Sequence, residues 1–199
     1  MIIGLTGQSG SGKSLAADFF EKKGFYIMDF DKISREICEK GTPCLKELTE
    51  HFGDDIIDCA GNLKRKELGD IVFKNPQKLD ALNSITRKYI LEKAELIKKE
   101  KIGQNIVYDA PLLFEAGLDS ECDAVVSIIS DISRQLERIV KRDGIRADTA
   151  MGRIKSQKEN KYYIENSDYC IENNSTIEDF YKKLENMLKE LKLNGDCFK

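Results

Sequence analysis

Histidine is nearly absent: His51 stands alone in a chain of 199 residues, and none of the six cysteines forms a CxxC pair. Zinc is held by about four nitrogen or sulfur ligands at motif spacing, so no zinc site is expected. Cys38, Cys44, Cys59, Cys122, Cys170 and Cys197 read instead as the reduced thiols of a cytoplasmic protein. A basic excess is missing too. Lys and Arg number 32 against 35 Asp and Glu, a net charge of −3, which argues against a general nucleic-acid binder but leaves room for a local basic groove. The N-terminus, MIIGLTG, lacks the basic start and long apolar run of a signal peptide. No apolar stretch approaches the ~20 residues of a membrane span. The expectation is a cytoplasmic protein with neither nucleic acid nor membrane as partner. The sequence does not set the oligomeric state, and a monomer is the favoured reading.

What is present is an alternation of strand and helix signals. Hydrophobic residues at 41% and charged residues at 34% suit a soluble globular domain. Residues 2–6 read as a short buried strand. Residues 13–23 predict a helix stopped by Gly24, with Leu15, Ala16, Phe19 and Phe20 on its apolar face. A second strand over 25–28 ends at Asp29, and two or three helices follow. One of them has Thr42 as N-cap, Pro43 at its first position and Gly53 as its stop. Residues 75–101 predict a long helix that buries Leu79, Leu82, Ile85 and Tyr89. The β-branched runs at 106–108 and 125–129 suit interior strands of a parallel sheet. Residues 131–142 predict an amphipathic helix with Ile132, Leu136, Ile139 and Val140 inward, and 169–171 a fifth strand. The last helix shows a capping box, Ser175 with Glu178, and a stripe of Ile177, Phe180, Leu184, Leu188 and Leu191. Its tail is expected to fray from Asn194. Strands separated by helices imply right-handed crossovers and a sheet covered on both faces, an α/β fold.

The stretch GQSGSGKS, residues 7–14, lies between the first strand and the first helix. In that context GxxxxGK[ST] predicts a phosphate-binding loop. Backbone N–H groups of residues 8–14 would surround phosphate oxygens, and Gly7, Gly10 and Gly12 keep side chains out of their way. Lys13 would reach the β- and γ-phosphates, and the Ser14 hydroxyl would ligate Mg²⁺. Ser11 and Leu15 complete the nucleotide-binding run. A GTPase would also carry NKxD and DxxG, but NKYY at 160–163 and DAPL at 109–112 fit neither. A small-molecule kinase needs an acidic group near the loop and a basic segment that closes over it. Asp29 and Asp31, in IMDFD, supply the acids, because ligands bind beyond the C-terminal ends of parallel strands. Position alone leaves Asp31 with two readings, a catalytic carboxylate or the N-cap of the next helix.

With these pieces the chain resembles the dephospho-CoA kinase family. The matching blocks are LTGQSGSGKS, MDFDKISR, HFG at 51–53 and GNLKRKEL at 61–68, then APLLFEAG at 110–117, KRDG at 141–144, RIKSQ at 153–157 and SDYCIENN at 167–174. The resemblance implies a P-loop, nucleoside-monophosphate-kinase-like three-layer fold. Such a fold has a central five-stranded parallel sheet, a helical substrate-binding insertion and a short lid. In a single domain over 1–199, the core would be 1–31, 105–142 and 167–193, the substrate region about 32–104 and the lid about 143–166. The implied reaction passes the γ-phosphate of ATP to the ribose 3′-hydroxyl of dephospho-CoA, with Mg²⁺ as cofactor, giving coenzyme A and ADP in the final step of coenzyme A biosynthesis.

By the same resemblance Lys13, Asp31 and Asp29 would carry catalysis, Asp31 accepting or orienting the hydroxyl proton. Arg142 would pack near the adenine of ATP and Asn173 border it. Arg146, Arg153 and Gln157 fall in the lid. Arg35, Arg65, Leu112, Leu113 and Phe114 would surround the acceptor, and Asp109 would join Ser14 at the metal. PLLFE also reads as a helix start, with Pro111 setting it and two leucines burying themselves. Departures from the family pattern are Gln8 and Ser9 in the loop, Arg87 and Lys88 in place of an HP pair, and Tyr163 where a basic lid residue is typical. Lys161, one turn away, is a candidate substitute. Alternatives are another small-molecule or nucleoside monophosphate kinase of the same fold, or a non-catalytic nucleotide-binding regulator. Intact Lys13, Ser14 and Asp31 speak against the last.

Overall fold

The computed structural model describes residues 1–195; Cys197 lies outside them. In chain order the elements are β1 (Ile2–Gly7), α1 (Lys13–Lys22), β2 (Tyr26–Asp29), α2 (Phe30–Glu36), α3 (Pro43–Phe52), α4 (Arg65–Val72), α5 (Pro76–Glu100), β3 (Ile106–Asp109), β4 (Ala124–Ile129), α6 (Ile132–Asp143), α7 (Ala147–Lys155), α8 (Asn160–Asn166), β5 (Tyr169–Glu172) and α9 (Ile177–Gly195). Local chemistry sets several boundaries. Thr42 accepts the Leu45 N–H to cap α3, and Asn75 accepts from Gln77 and Lys78 to cap α5, with proline next in each case.

The chain divides into two compact units, Met1–Met28 with Gln104 onward, and Asp29–Gly103. The five strands form one sheet in the order β2-β3-β1-β4-β5. The pairs β1–β3, β1–β4 and β4–β5 are parallel, with Leu5 opposite Asp109 and Gly7 opposite Ile128. The glycine loop therefore leaves the central strand, between the ends of its two neighbours. Ile3, Leu5, Val107, Val126 and Ile128 from the sheet pack with Phe19 and Phe20 of α1 and with Phe180, Leu184 and Leu188 of α9. Complete burial of Phe20 and Phe180 contributes on the order of 3 kcal/mol each. A smaller cluster of Ile139, Ala150 and Ile154 joins α6 to α7.

In the other unit α2, α3 and α4 each pack on α5. Lys88 pairs there with Glu47 at 3.1 Å, and Glu47 also accepts from Tyr89 Oη at 2.5 Å.

Several expectations need correction. Leu79, Leu82, Ile85 and Tyr89 are only half-buried, and the buried residue of α5 is Ala94. Ile132 and Ile177, each at the first position of its helix, are 57% and 52% exposed. Gln135 takes the inward place on α6 instead. The α9 cap is Thr176 rather than Ser175: its Oγ1 accepts the Asp179 N–H at 3.2 Å. PLLFE starts no helix. Ala116, Gly117 and Leu118 donate to Leu112, Phe114 and Leu113, a set of mixed turns that closes by residue 118. Leu113 is buried against Gly4 while Leu112 is 64% exposed. α9 is described through Gly195, and the rest of the tail expected to fray lies outside the described residues.

Candidate active site

The loop between β1 and α1 is glycine-rich for a reason the sequence does not show. Gly12 sits at the N-cap of α1 with φ 106°, and a Cβ there would lie 2.0 Å from Asn173 Nδ2. At Gly10, with φ 77°, a Cβ would lie 2.8 Å from the Gln135 carbonyl. Close packing on α6 and on the segment after β5 thus demands glycine as firmly as a phosphate would. Asn173, buried beyond the end of β5, donates its Nδ2 to the Ser11 carbonyl at 2.8 Å. Glycine provides no side-chain cap, so the Lys13 and Ser14 amides that open α1 lack both an intrahelical acceptor and a capping oxygen, whereas those of Leu15 and Ala16 bond the Gly12 carbonyl. Ser11 is fully buried and its Oγ has no protein partner.

Arg138 is a site residue that the sequence reading did not single out. Its Nη1 donates to the Gly10 and Ser11 carbonyls, both at 3.1 Å, and its Nη2 donates to the Asn173 carbonyl at 2.9 Å. Burial, with Arg134 nearby, pulls its pKa below the usual value. Its signal was position: one turn before Arg142, on a helix following a strand that pairs with β1.

Lys13 is ion-paired with Asp109, the last residue of β3, and both side chains are largely covered. Parallel pairing of β3 with β1 brings them together across 96 positions. Ser14 is exposed at the start of α1. Leu15 faces the core, and its N–H already bonds the Gly12 carbonyl at 3.0 Å.

The segment expected as the lid holds α7 and α8. Arg142 and Arg153 share one partner, Asp143: Arg142 Nε donates at 2.7 Å and Arg153 Nη1 at 2.6 Å. Those hydrogen bonds, from Arg142 first, hold the Asp143 carboxyl below its usual range. Arg146 pairs with Asp148 and stays exposed. Gln157 Oε1 accepts the Ser9 N–H at 2.7 Å. Tyr163 is buried, and burial pushes its hydroxyl up to about 12, so it is a packing residue of α8. Lys161 pairs with Glu165 at 3.7 Å and is highly exposed. Phe114 meets Tyr162 edge to face at 5.6 Å.

The other unit holds the remaining candidates. The Asp29 carboxylate accepts the Lys32 N–H at 2.9 Å, so Asp29, not Asp31, is the cap of α2. Asp31 lies in the first turn, exposed, and makes no hydrogen bond or ion pair among the described residues. Arg65, at the start of α4, donates to the Arg35 carbonyl at 3.4 Å, and both residues are exposed. Arg65 lines a cavity of about 250 Å³ with Cys38, Ser34, Asn83 and Thr86. A hydrogen bond from Cys44, with help from Arg65, brings the Cys38 thiol down to about 7. Among the described residues no cluster of three His, Cys, Asp or Glu side chains is placed to hold a metal, and no helix is long and apolar enough to cross a membrane.

Residues 1–179 match the profile of the dephospho-CoA kinase family, CoaE. The chain belongs to that family. A dephospho-CoA kinase from Fusobacterium nucleatum is 44% identical over 185 residues, 93% of this chain and 95% of its own length. One from Corynebacterium glutamicum is 38% identical over 192 residues, covering 95% and 96%. Among solved structures, TT1252 from Thermus thermophilus superposes with a TM-score of 0.84 at 25% identity, covering 96% of this chain and 97% of its own. Dephospho-CoA kinase from Campylobacter jejuni gives 0.67 at 25% identity, covering 98% of each chain. A shikimate kinase from Bacteroides thetaiotaomicron, with a TM-score of 0.56 at 16% identity, shares the P-loop kinase fold.

Proposed function

We propose that the protein transfers the γ-phosphate of ATP to the ribose 3′-hydroxyl of dephospho-CoA, releasing ADP and coenzyme A, the final step of coenzyme A biosynthesis. The observation that carries the reading is the uncapped start of α1 behind a glycine loop with Lys13 at its first position, in a chain of this family. Uncapped amides and the positive end of the helix dipole bind phosphate oxygens. Lys13 exchanges Asp109 for the β- and γ-phosphates. Arg138 and Asn173 hold the loop open from behind by taking its carbonyls, which keeps those oxygens turned away from the bound anion. Arg142 lies toward the adenine, and Asn173 shapes the loop at its edge.

Phosphoryl transfer goes through a loose transition state, so positioning and charge neutralisation matter more than a strong base. Asp31, whose carboxylate is uncommitted, takes the 3′-hydroxyl proton as that oxygen bonds the γ-phosphorus and the β,γ-bridge bond breaks. Asp29 supports it by fixing the first turn of α2. Arg35 and Arg65 bind the anionic acceptor. Leu112 and Phe114 contact it, with Leu113 as their anchor in the core. Arg146 and Arg153 leave Asp148 and Asp143 to meet the transferring phosphate and exclude water. Hard oxygens at Ser14 and Asp109 fit Mg²⁺, which takes one or two protein ligands and completes its shell with phosphate and water. When bound there it would neutralise phosphate charge. The protein works as a monomer in the cytoplasm, a setting that suits the free thiols of Cys38, Cys44, Cys59, Cys122 and Cys170.

An ATP-consumption assay compares dephospho-CoA with adenosine, AMP, CMP and shikimate as acceptors. Turnover is expected with dephospho-CoA above all others. Equal or greater turnover with another acceptor would replace this substrate assignment.

A further inference from the structure

Gln8 follows the first glycine of the loop, yet it is only 7% exposed. Its Nε2 donates to the Lys158 carbonyl at 2.7 Å. Its Oε1 accepts from Gln135 Nε2, also at 2.7 Å. Gln135 is itself buried, and the same Nε2 donates to the Ser130 carbonyl at 2.7 Å. The Ser130 carbonyl fixes which way the Gln135 amide faces and the Lys158 carbonyl which way the Gln8 amide faces, so Gln8 Oε1 is left to accept, while Gln135 Oε1 has no protein partner. The next loop residue, Ser9, donates its N–H to Gln157 Oε1. Two successive loop residues therefore hold two successive residues of the α7–α8 junction.

We infer that Gln8 is a positioning residue that ties the α7–α8 junction to the phosphate loop and thereby sets nucleotide affinity rather than turnover. The two ties differ in what nucleotide does to them. Ser9 N–H is a loop amide of the kind that phosphate oxygens accept from, so its bond to Gln157 is exchanged when nucleotide enters. The Gln8 bond uses a side-chain donor on a main-chain carbonyl and consumes no phosphate-binding amide. It persists through that exchange and keeps the junction docked, so less ordering is left for nucleotide to impose. Asn160 Nδ2 adds a second link from the same junction to the Ser130 carbonyl, at 3.3 Å.

The kinetic arm of the test rests on the kinase reading, whereas the exchange arm needs no substrate. Gln8→Met keeps the length and loses both hydrogen bonds. Gln8→Glu keeps the bond from Gln135 but sets a carboxylate against the Lys158 carbonyl. Hydrogen exchange across residues 157–162 is measured on the nucleotide-free full chain, beside KM for ATP and kcat. One buried hydrogen bond is worth about a five-fold change. Both variants are expected to exchange about five-fold faster in that segment and to raise KM for ATP by about the same factor, with kcat within about twofold of the original. Wild-type exchange in both variants would overturn the latch, as would a fall in kcat at unchanged KM. Should Gln8→Met fail to fold, unaltered exchange in Gln8→Glu overturns it alone. Absence of any ATP turnover in the unsubstituted protein would sink the kinase reading and leave the exchange result standing.

Discussion

At the scale of single residues, two aspartates two positions apart differ because the backbone claims one of them. Asp29 satisfies an N–H at the start of α2, while Asp31 is held by the helix with its carboxylate uncommitted. Asp31→Asn should leave ATP binding in place and lower kcat about 100-fold, the usual weight of a general base. Steady-state kinetics with calorimetry of nucleotide binding checks this, and an unchanged kcat would remove Asp31 from the chemistry. Asp29→Ala should instead cost about 1 kcal/mol of stability through loss of the cap, with Asp29→Asn close to neutral. Sequence position left Asp31 with both roles open. A cap is defined by which oxygen reaches which amide, and a two-residue difference in where α2 begins decides it.

Among the elements, α9 shows how pattern and geometry part company. Phe180, Leu184, Leu188 and Leu191 form the buried stripe that their spacing announces. Its cap is displaced by one residue from the box that Ser175 and Glu178 suggest. Thr176→Ala should therefore lower stability by about 1 kcal/mol and Ser175→Ala should change it little, as thermal melts would show. α6 parts from its pattern in a second way. Its apolar residues predict an inward face, but the inward place near the loop belongs to Gln135, and Arg138 turns to the loop carbonyls. Neither could be read from composition, because a polar side chain is inward only when partners from other elements satisfy it. PLLFE reads as a helix start at Pro111, but mixed turns that close by residue 118 stand there instead, with Leu113 packed on Gly4.

For the whole molecule, the proposed ATP site links nucleotide binding to stability, since a ligand of the folded loop alone stabilises the folded state. At ATP 100-fold above its dissociation constant the folded state gains about 2.7 kcal/mol. The unsubstituted protein should melt higher with ATP and Mg²⁺ present, and Lys13→Ala should lose most of that increment while melting normally without ligand. An equal increment in Lys13→Ala would detach the lysine from phosphate binding. Such a linkage also separates the loop from the core: Lys13 contacts Asp109 at the C-terminal end of β3, whereas stability rests on the packing of α1 and α9 against β1, β3 and β4.

The sequence by itself determined the loop, its lysine and hydroxyl, the order of strands and helices, and the family, because these depend on contiguous residues and local periodicity. Tertiary structure decided which aspartate caps a helix, why Gly10 and Gly12 are glycines, and how Arg138, Asn173 and Gln8 came to serve the loop. The cap is a local matter of where α2 begins; the other outcomes depend on parallel strands and crossovers bringing the loop to groups more than a hundred residues away, where only distance and hydrogen-bond direction distinguish a partner from a bystander.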